Sequence, residues 1–418
     1  MTNYREITRC RLCGGADLVP ILHLGIQSLT GVFPRRQDPP VTSGPLELVK
    51  CREEEGADAC GLVQLRQSYR LDEMYGENYG YRSGLNPSMV AHLERKVKKI
   101  LERVSLSAGD QVLDIGSNDA TLLRAYPEGT ARLVGIDPSG KKFAEFYPHH
   151  IRLIPEFFSA EAVKRHFGGR KMKVVTSVAM FYDLEDPLDF MRQVHDILDD
   201  DGVWVFEQSY MPAMLAANAY DTVCHEHLEY YRLKQITWMA ERAGFVIVDL
   251  EFNDVNGGSF SVTVAKPGSR HQPNFERVRQ VLQEEEREGL GGQGPYERFK
   301  ANVYRHRDDL LALIQKIHAE GKRVLGYGAS TKGNVILQFC GLTDRDIACI
   351  AEVNEDKFGR LTPGSAIPIV SEAQAKALRP DYLLVLPWHF KRFFLEKEQD
   401  YVRSGGRLVF PLPSIEVV

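Results

Sequence analysis

The nine residues VCHEHLEYY, from Val223 to Tyr231, concentrate groups that could move a proton or hold a metal ion. Histidine is the side chain whose ordinary pKa lies near neutrality, so His225 or His227 could serve as a base. Glu226 could fix the tautomer of a neighbouring imidazole and strengthen it as a base. The segment lacks the H-E-x-x-H spacing of a helical metal site, and no third ligand follows nearby. We therefore favour acid–base chemistry over a metal site or a structural polar turn.

The local backbone decides which of these side chains can act together. In an extended segment His225 and His227 share one side and Glu226 takes the other, whereas in a turn or helix start all three could converge. The sequence leaves both geometries open. We assign His227 as the first choice of base, with Glu226 and His225 in support.

A different chemistry is expected near the N-terminus, where four of the seven cysteines fall within the first 60 residues. Cys10 and Cys13 form a C-x-x-C pair, and Cys51 and Cys60 can supply a second, more widely spaced pair. Four thiolates suit a closed, structural zinc site. The Pro- and Gly-rich stretch between the pairs can bury little core, so a bound metal would supply stability there.

Residues 109–126, GDQVLDIGSNDATLLRAY, have the pattern of a strand, a tight turn at Gly116 and a helix. Asn118 and Asp119 are placed to cap that helix, which would carry Leu122 and Leu123. About twenty residues later a second strand ends in Asp137, where an acid can accept hydrogen bonds from ribose hydroxyls. The pattern is not G-x-G-x-x-G, so a dinucleotide is not the first interpretation.

Further short strands, at 173–181 and 202–210, alternate with helical segments and predict a mostly parallel sheet. Ligands of such sheets bind at the carboxyl ends of the strands, and Glu207 and Gln208 end one of them. Phe157 and Phe158 follow another strand, where an aromatic ring could lie against adenine or belong to the core.

The last third of the chain predicts a second α/β unit. Residues 276–321 are helical in character with a Gly-rich break at 289–294, and KRVLGYGASTKGNVILQF follows as strand, turn and helix. This turn offers backbone N–H groups and Lys332 to an anion, although it lacks the Walker A spacing. His389 ends a later strand and could reach a cleft or pack in the core.

Taken in order, these motifs resemble one narrow family, the zinc-containing S-adenosylmethionine-dependent sugar C-methyltransferases that act on carbon 3 of NDP-4-keto-6-deoxyhexoses. The resemblance covers nearly the whole chain and is carried by the cysteine module, ENYGYRSGLN, DIGSND, EQSYMP, YDTVCHEHLEYY, VNGGSF and GYGASTKGN. It implies an α/β protein with a small zinc module, a central class I methyltransferase domain and a C-terminal Rossmann-like domain. It also implies a base that forms an enolate, which attacks the methyl group of S-adenosylmethionine.

Individual residues of this chain are candidates for the site that the resemblance implies. Tyr79 and Tyr81 lie between the zinc module and the sheet, where a phenol could donate to the keto oxygen in catalysis, line the cleft or only pack. The implied cofactor-binding residues are Asp114, Gly116, Asn118, Asp119, Asp137, Phe158 and Glu207. The implied substrate-binding residues, which include candidates for the diphosphate or sugar, are Tyr182, Gln208, Asn256, Ser330, Lys332, Asn334 and Asn354.

Two positions depart from the family pattern. Cys224 stands before H-E-H where the family commonly has tyrosine, and Phe181 stands where a histidine is common. Tyr182, next to Phe181, could substitute as a hydroxyl donor. These changes indicate a different sugar or a different donor to the enolate.

The bulk properties agree with a globular enzyme of several domains. The chain has 418 residues, 43% hydrophobic content and a net charge of −5, so we expect neither nucleic acid nor membrane as a partner and a cytoplasmic location. We place domain boundaries at 1–75, 76–275 and 276–418. Methylation of a sugar oxygen or nitrogen and a zinc-stabilised binding protein without catalysis are the competing hypotheses.

Overall fold

The structure is a computed structural model that describes residues 4–53, 60–74 and 81–418. Its N-terminal part contains strands β1 (Tyr4–Glu6), β2 (Leu18–Ser28), β3 (Ser43–Cys51), β4 (Val63–Leu65) and β5 (Gln67–Tyr69), then the short helix α1 (Leu71–Met74). Strands β2, β3 and β4 form an antiparallel sheet. The predicted zinc module is therefore a small β structure.

The central part is built around a seven-stranded sheet. Its elements are α2 (Pro87–Arg103), β6 (Gln111–Ile115), β7 (Arg132–Ile136), β8 (Ile151–Ile154), α3 (Ala160–Phe167), β9 (Met172–Val178), α4 (Pro187–Ile197), β10 (Leu198–Ser209), α5 (Met211–Ala216), β11 (Glu229–Tyr230), α6 (Leu233–Ala243), β12 (Val246–Asn253) and β13 (Ser259–Ala265). The sheet order is β12-β13-β10-β9-β6-β7-β8, parallel except for β13, which is antiparallel to both neighbours. The strand order reverses between β6 and β9, the place where ligands of open α/β sheets bind.

The prediction of a helix after the Gly116 turn is wrong. Only a single 3-10 turn, Leu123–Ala125, follows that loop. Tyr126 is extended because Pro127 comes next, and the residue before a proline is disfavoured in the helical region. The loop therefore returns quickly to β7.

The C-terminal part contains α7 (Phe275–Arg287), α8 (Gly294–Ala319), β14 (Val324–Tyr327), α9 (Thr331–Phe339), β15 (Ile350–Glu352), β16 (Ile369–Ser371), α10 (Glu372–Ala377), β17 (Tyr382–Val385), α11 (Lys391–Lys397), α12 (Gln399–Arg403), β18 (Arg407–Phe410) and β19 (Glu416–Val417). The strands form a sheet of order β16-β15-β14-β17-β18-β19. This Rossmann-like order confirms the predicted second α/β unit. The Gly-rich break between α7 and α8 also lies where the sequence predicts it.

The zinc module packs against both α/β units. Leu22 and Leu48 of its sheet belong to a buried core that continues into Phe299 of α8. Cys51 and Leu62, by contrast, share a core with the central sheet. Strand β11, from the central part, extends the small sheet by pairing with β4. None of the helices in the described ranges is both long and apolar enough to cross a bilayer.

Candidate active site

A cavity of ≈ 520 Å³ lies where the three parts of the chain meet. The central part contributes the loop after β6, the residue that ends β7 and the H-E-H turn, whereas the C-terminal part contributes the start of α9. The sequence-predicted residues that line it are Tyr81, Asp114, Gly116, Asn118, Asp137, Phe158, Tyr182, Glu226, His227, Asn256, Ser330 and Lys332. The structure therefore brings the predicted cofactor loop and the predicted base together.

The loop after β6 is held by the acid that ends β7. Gly116 has a φ of 73°, the left-handed region that glycine adopts without strain. The backbone N–H of Asn118 donates to Oδ2 of Asp137 at 2.8 Å, and Ser139 donates to Oδ1. A carboxylate oxygen accepts more than one hydrogen bond, so Asp137 retains capacity for ribose hydroxyls.

Asp114, the last residue but one of β6, lines the cavity. Burial raises the pKa of its carboxyl to about 7, although the hydroxyl of Thr176 donates to Oδ1 at 2.6 Å and opposes this shift. Leu93, Leu122 and Met180 supply an apolar lining nearby. This mixture of an acid and apolar walls fits an adenosyl group.

Asn118 and Asp119 also hold the segment that carries Tyr81. The Asn118 side-chain oxygen accepts from the backbone of Ser83 at 3.0 Å, and Asp119 accepts from Gly84 at 3.0 Å. Asp119 does not line the cavity, so the structure gives it this supporting position. Tyr81 lines the cavity and is 46% exposed. Tyr79 lies outside the described residues.

The two phenylalanines after β8 both line the cavity. Phe158 packs on Phe190 with ring centroids 4.9 Å apart, while Phe157 is 55% exposed. Either ring is therefore available to a flat ligand, and Phe158 has the more rigid support.

Glu207 and Gln208 lie outside the cavity lining, contrary to the expectation that the end of β10 meets a ligand. Glu207 is buried, with His92 at 2.6 Å and Lys96 at 2.7 Å from its carboxylate. Burial would raise the pKa of this carboxyl, but these two neighbours lower it to about 2. The amide of Gln208 is buried without a hydrogen-bond partner among the described residues. Glu207 is thus engaged by α2 rather than open to a ligand.

The H-E-H segment is a turn that bridges the zinc module and the central sheet. The backbone N–H of His227 donates to the carbonyl of Cys224 at 3.2 Å. Leu228 then donates to the carbonyl of Tyr182 at 2.8 Å and accepts from Leu65 at 2.8 Å. Of the two geometries left open by the sequence, the turn is the one formed.

His227 is held as a neutral imidazole with one defined tautomer. Its Nδ1 lies 2.8 Å from the carbonyl oxygen of Thr222, so Nδ1 carries the proton and donates it there. Nε2 is then the nitrogen with the lone pair. Burial, reinforced by the charge of Lys332, lowers the pKa of this imidazole to about 3. The ring packs against Tyr182 at a centroid distance of 4.2 Å.

Glu226 is a buried acid beside the base. The hydroxyl of Thr30 donates to Oε2 at 3.3 Å, and burial raises the pKa of the carboxyl. A Cβ atom on Gly31 would lie 2.3 Å from Oε1, so the zinc module leaves room for this carboxyl only through a glycine. The same Cβ position is 3.6 Å from the hydroxyl of Thr331. Glu226 therefore lies where all three parts of the chain converge.

His225 is directed away from the cavity. It is completely buried, and its ring meets Tyr69 of the zinc module edge-on at 4.6 Å. Burial lowers the pKa of this imidazole to about 3. Its position supports packing between the turn and the zinc module rather than direct contact with a ligand.

Neither of the two residues that depart from the family pattern lines the cavity. Phe181 is fully buried, with Phe206 and Tyr231 centroids 5.3 and 5.4 Å from its own. Cys224 is likewise buried, and burial raises the pKa of its thiol well above the usual range. Tyr182 is the neighbour of Phe181 that lines the cavity, as the sequence suggested.

The start of α9 forms the C-terminal wall. Ser330 caps the helix by accepting from the backbone of Gly333 at 3.0 Å. The Lys332 ammonium group donates to the carbonyl of Asn256 at 2.6 Å and so links α9 to the central part. Asn334 is buried and donates to the carbonyl of Thr30 at 2.7 Å, and Asn354 caps a 3-10 turn. Neither of these asparagines lines the cavity, so their contacts are with the protein itself.

Sequence reasoning missed several residues of this site. Thr331 and Lys357 line the cavity, and Thr222 fixes the tautomer of the base. His389, left open between cleft and core, lines the cavity as well. The "GYGAST" turn could have indicated Thr331. Nothing in the sequence pairs Thr30 with Glu226, because 196 positions separate them.

The four N-terminal cysteines form the predicted metal cluster. Their sulfur atoms lie within 4.8 Å of one another, with the Cys10–Cys60 and Cys13–Cys51 pairs at 3.5 Å. A tetrahedral zinc ion with Zn–S bonds of about 2.3 Å separates its sulfur ligands by about 3.8 Å. The cluster therefore fits structural Zn²⁺.

Comparisons with known proteins agree with this architecture. Residues 10–75 match a family model described as "Putative zinc binding domain", residues 89–250 one described as "Methyltransferase domain", and residues 254–413 one described as "C-methyltransferase C-terminal domain". Fold and site thus define a class I, S-adenosylmethionine-dependent methyltransferase with a zinc module.

Comparison with individual proteins identifies the family within this class. The chain is 31% identical over 420 residues to C-methyltransferase NovU of Streptomyces niveus, covering 99% of this chain and 97% of NovU. Sphingolipid C9-methyltransferase 2 of Gibberella zeae is 28% identical over 164 residues, 34% of this chain and 31% of that protein. Among solved structures, an N1-methyltransferase from Burkholderia thailandensis has a TM-score of 0.34 at 13% identity, covering 44% of this chain and 82% of that one. The chain belongs to the C-methyltransferase family that includes NovU, which confirms the predicted enzyme class, fold and cofactors.

Proposed function

We propose that this C-methyltransferase methylates carbon 3 of a nucleotide-linked 4-keto-6-deoxy sugar through an enolate formed by His227. The observation that carries the proposal is the position of His227. Its Nδ1 proton is engaged by Thr222, its ring lines the cavity, and the cofactor loop at Gly116 lines the same cavity. The proposed base and the predicted cofactor loop thus line one cavity, which supports the proposal.

The chemistry of C-methylation supports a keto substrate. A carbon atom becomes a nucleophile when a base removes its proton, and such a proton is acidic enough only beside a group such as a carbonyl. NovU is named a C-methyltransferase, and the ordered motifs resemble enzymes of 4-keto sugars. A ketone next to carbon 3 would supply the required acidity.

Each step then uses a defined group. Nε2 of His227 takes the proton from carbon 3, and the electron pair of the broken C–H bond forms a carbon–carbon double bond while the carbonyl electrons move onto oxygen. S-adenosylmethionine, when bound, supplies an electrophilic methyl group. As carbon 3 bonds to that methyl group, the methyl–sulfur bond breaks and S-adenosylhomocysteine is left, while the carbonyl re-forms. The imidazolium returns its proton to water. Glu226 and Tyr182 line the cavity beside the base and are placed to orient the sugar.

The experiment is a product analysis with a methyl donor carrying carbon-13 in its methyl group and a panel of nucleotide 4-keto-6-deoxy sugars. We expect a labelled methyl group bonded to carbon 3, identified by carbon–carbon coupling in the NMR spectrum. A labelled methyl group on oxygen or nitrogen, or no transfer to any member of the panel while the donor binds, would contradict the proposal.

A further inference from the structure

Lys332 lies at the second position of α9, with its ammonium group against the central part of the chain. It lines the cavity, and it donates one hydrogen bond, of 2.6 Å, to the carbonyl of Asn256. An ammonium group has three donors, so Lys332 can make further hydrogen bonds to a bound ligand. Its position beside the N-terminus of a helix adds positive potential to the same wall.

The charge of Lys332 acts at the base. It lowers the pKa of His227 and also that of His389, in both cases after the larger effect of burial. The other lysine that lines the cavity in the described ranges, Lys357, has different neighbours. It donates to the carbonyl of Ala329 at 2.8 Å and lies over the ring of Phe33 at 4.5 Å. The charged groups that influence the pKa of Lys357 are Glu352, Lys142 and Asp356.

A buried carboxyl group precedes the residue that holds the base. Asp221 is completely buried and accepts from the indole N–H of Trp388 at 2.7 Å. Burial lowers the pKa of Lys332, and the charge of Asp221 opposes that shift. Thr222, which holds the base, is the next residue in the same 3-10 turn.

A base with a pKa of about 3 is available at neutral pH but has little intrinsic tendency to hold a proton. Efficient proton removal by such a base requires strong stabilisation of the oxygen that becomes negative. The group must lie near the base and carry positive charge. Lys332 lines the same cavity as His227 and has donors to spare, whereas Lys357 is held between the carbonyl of Ala329 and the ring of Phe33.

We propose that Lys332 is a catalytic residue that stabilises the enolate oxygen formed when His227 removes the proton. This inference rests on the proposed function and refines the sequence-based expectation that Lys332 binds a diphosphate. Lys357, the second lysine of the cavity lining, is the candidate for binding the anionic nucleotide.

The test separates enolate formation from methyl transfer. The full-length zinc protein is incubated in D₂O with S-adenosylhomocysteine and a 4-keto nucleotide sugar that the wild type methylates. Exchange of the carbon 3 proton is followed by NMR, and kcat and KM are measured separately with the methyl donor. Lys332→Met is compared with Lys357→Met, a matched change at the second cavity lysine, and zinc content and donor affinity report folding.

We expect Lys332→Met to slow both exchange and kcat by roughly 10²–10³-fold, the loss typical of one oxyanion donor, with KM changed less than about threefold. Lys357→Met should raise KM and leave exchange at saturation near the wild-type rate. Lys332→Arg, which keeps the charge, should recover at least tenfold of the lost exchange. Should Lys332→Met fail to fold, Lys332→Gln takes its place.

Wild-type exchange in the neutral Lys332 variant, or a change confined to KM, would overturn the inference while leaving C-methylation intact. A wild-type protein that neither exchanges nor methylates any panel member would instead refute the proposed function. The two failures are therefore distinguishable.

The charge on Lys332 is tested by a pH profile. The titratable groups around Lys332 are Asp221 and Cys224, which raise its pKa, and the two imidazoles of His227 and His389. Asp221→Asn should lower the pKa of Lys332 and move the alkaline limb of kcat to lower pH. An unchanged alkaline limb in a folded Asp221→Asn protein would contradict catalysis by the charged form of Lys332.

Discussion

The two α/β units of this protein hold their first loops in the same way. In the central unit the loop after β6 begins at Gly116, and its Asn118 N–H donates to Asp137 at the end of the second strand. In the C-terminal unit the loop after β14 contains Gly328, and the N–H of Ala329 donates to Glu352 at 2.9 Å. Each loop is thus fixed by an acid on the neighbouring strand.

The two acids nevertheless meet the cavity differently. Asp137 lines it, whereas Glu352 does not and also accepts from the backbone of Val353 and Asn354. Lysines 332 and 357 line the C-terminal side instead. The same fold therefore presents an acid on one side of the cavity and two lysines on the other.

The largest effect is expected at the base between the two loops. His227→Gln should reduce kcat by roughly 10²–10⁴-fold, because general base catalysis is lost, while binding of the methyl donor is retained. His225→Gln is the matched control, since His225 is buried outside the cavity, and its kcat per folded molecule should stay within about threefold of wild type. Normal turnover by His227→Gln would contradict the assignment of the base.

Replacing each acid by its amide should show that the two loops differ in their contribution to binding of the methyl donor. Asp137→Asn should raise the Kd of the methyl donor roughly 10–100-fold, because hydrogen bonds to charged groups contribute about 1.5–3 kcal/mol. Glu352→Gln should change that Kd less than about threefold. Isothermal titration calorimetry measures both values, and equal effects would show that the loops do not divide the ligands in this way.

Alanine substitutions at the two loop glycines are compared by their effect on the thermal stability of the protein. An added Cβ on Gly328 would lie 2.5 Å from the ring of Pro387, whereas one on Gly116 would meet the flexible Met180 side chain at 3.1 Å. Both positions have positive φ, which costs an alanine about 1–3 kcal/mol. Gly328→Ala should therefore lower Tm by a few degrees more than Gly116→Ala in calorimetry of the zinc protein. The reverse order would indicate a rigid environment at Gly116.

The smallest expected effect is on the pH dependence of kcat/KM. Because the folded-state pKa of His227 is lowered to about 3, its neutral form should predominate at every pH above about 4. An ordinary histidine would lose about tenfold of its neutral form between pH 7 and 5.5. In an Asp114→Asn background, which removes the cavity carboxyl with a pKa of about 7, kcat/KM should therefore change less than about twofold over that range. An acid limb centred near pH 6.5 in that background would place the base in a more solvated setting.

Local sequence signals predicted much of the architecture. The paired cysteines, the strand–Gly–strand–Asp pattern around Gly116 and the break at residues 289–294 each depend on neighbours in sequence. The helix predicted at Leu122 failed because the stop signal of Pro127 outweighed its apolar residues.

The site itself depends on contacts that sequence does not record. The zinc module reaches Glu226 through Thr30, and Thr222 selects the tautomer of the base. Glu207 lies near the end of a strand as a ligand residue should, yet α2 supplies the imidazole of His92 and the ammonium group of Lys96 that hold it. Which face of a strand end meets the ligand is decided by tertiary packing.

Hydrogen exchange at carbon 3 of the nucleotide sugar tests the account most directly. The wild-type protein, in D₂O with S-adenosylhomocysteine in place of the methyl donor, should replace the carbon 3 proton with deuterium. His227→Gln should leave that proton in place while still binding the sugar. Retention of the proton by wild-type protein with bound sugar, or exchange at the wild-type rate in His227→Gln, would contradict the assignment of His227 as the base that forms the enolate.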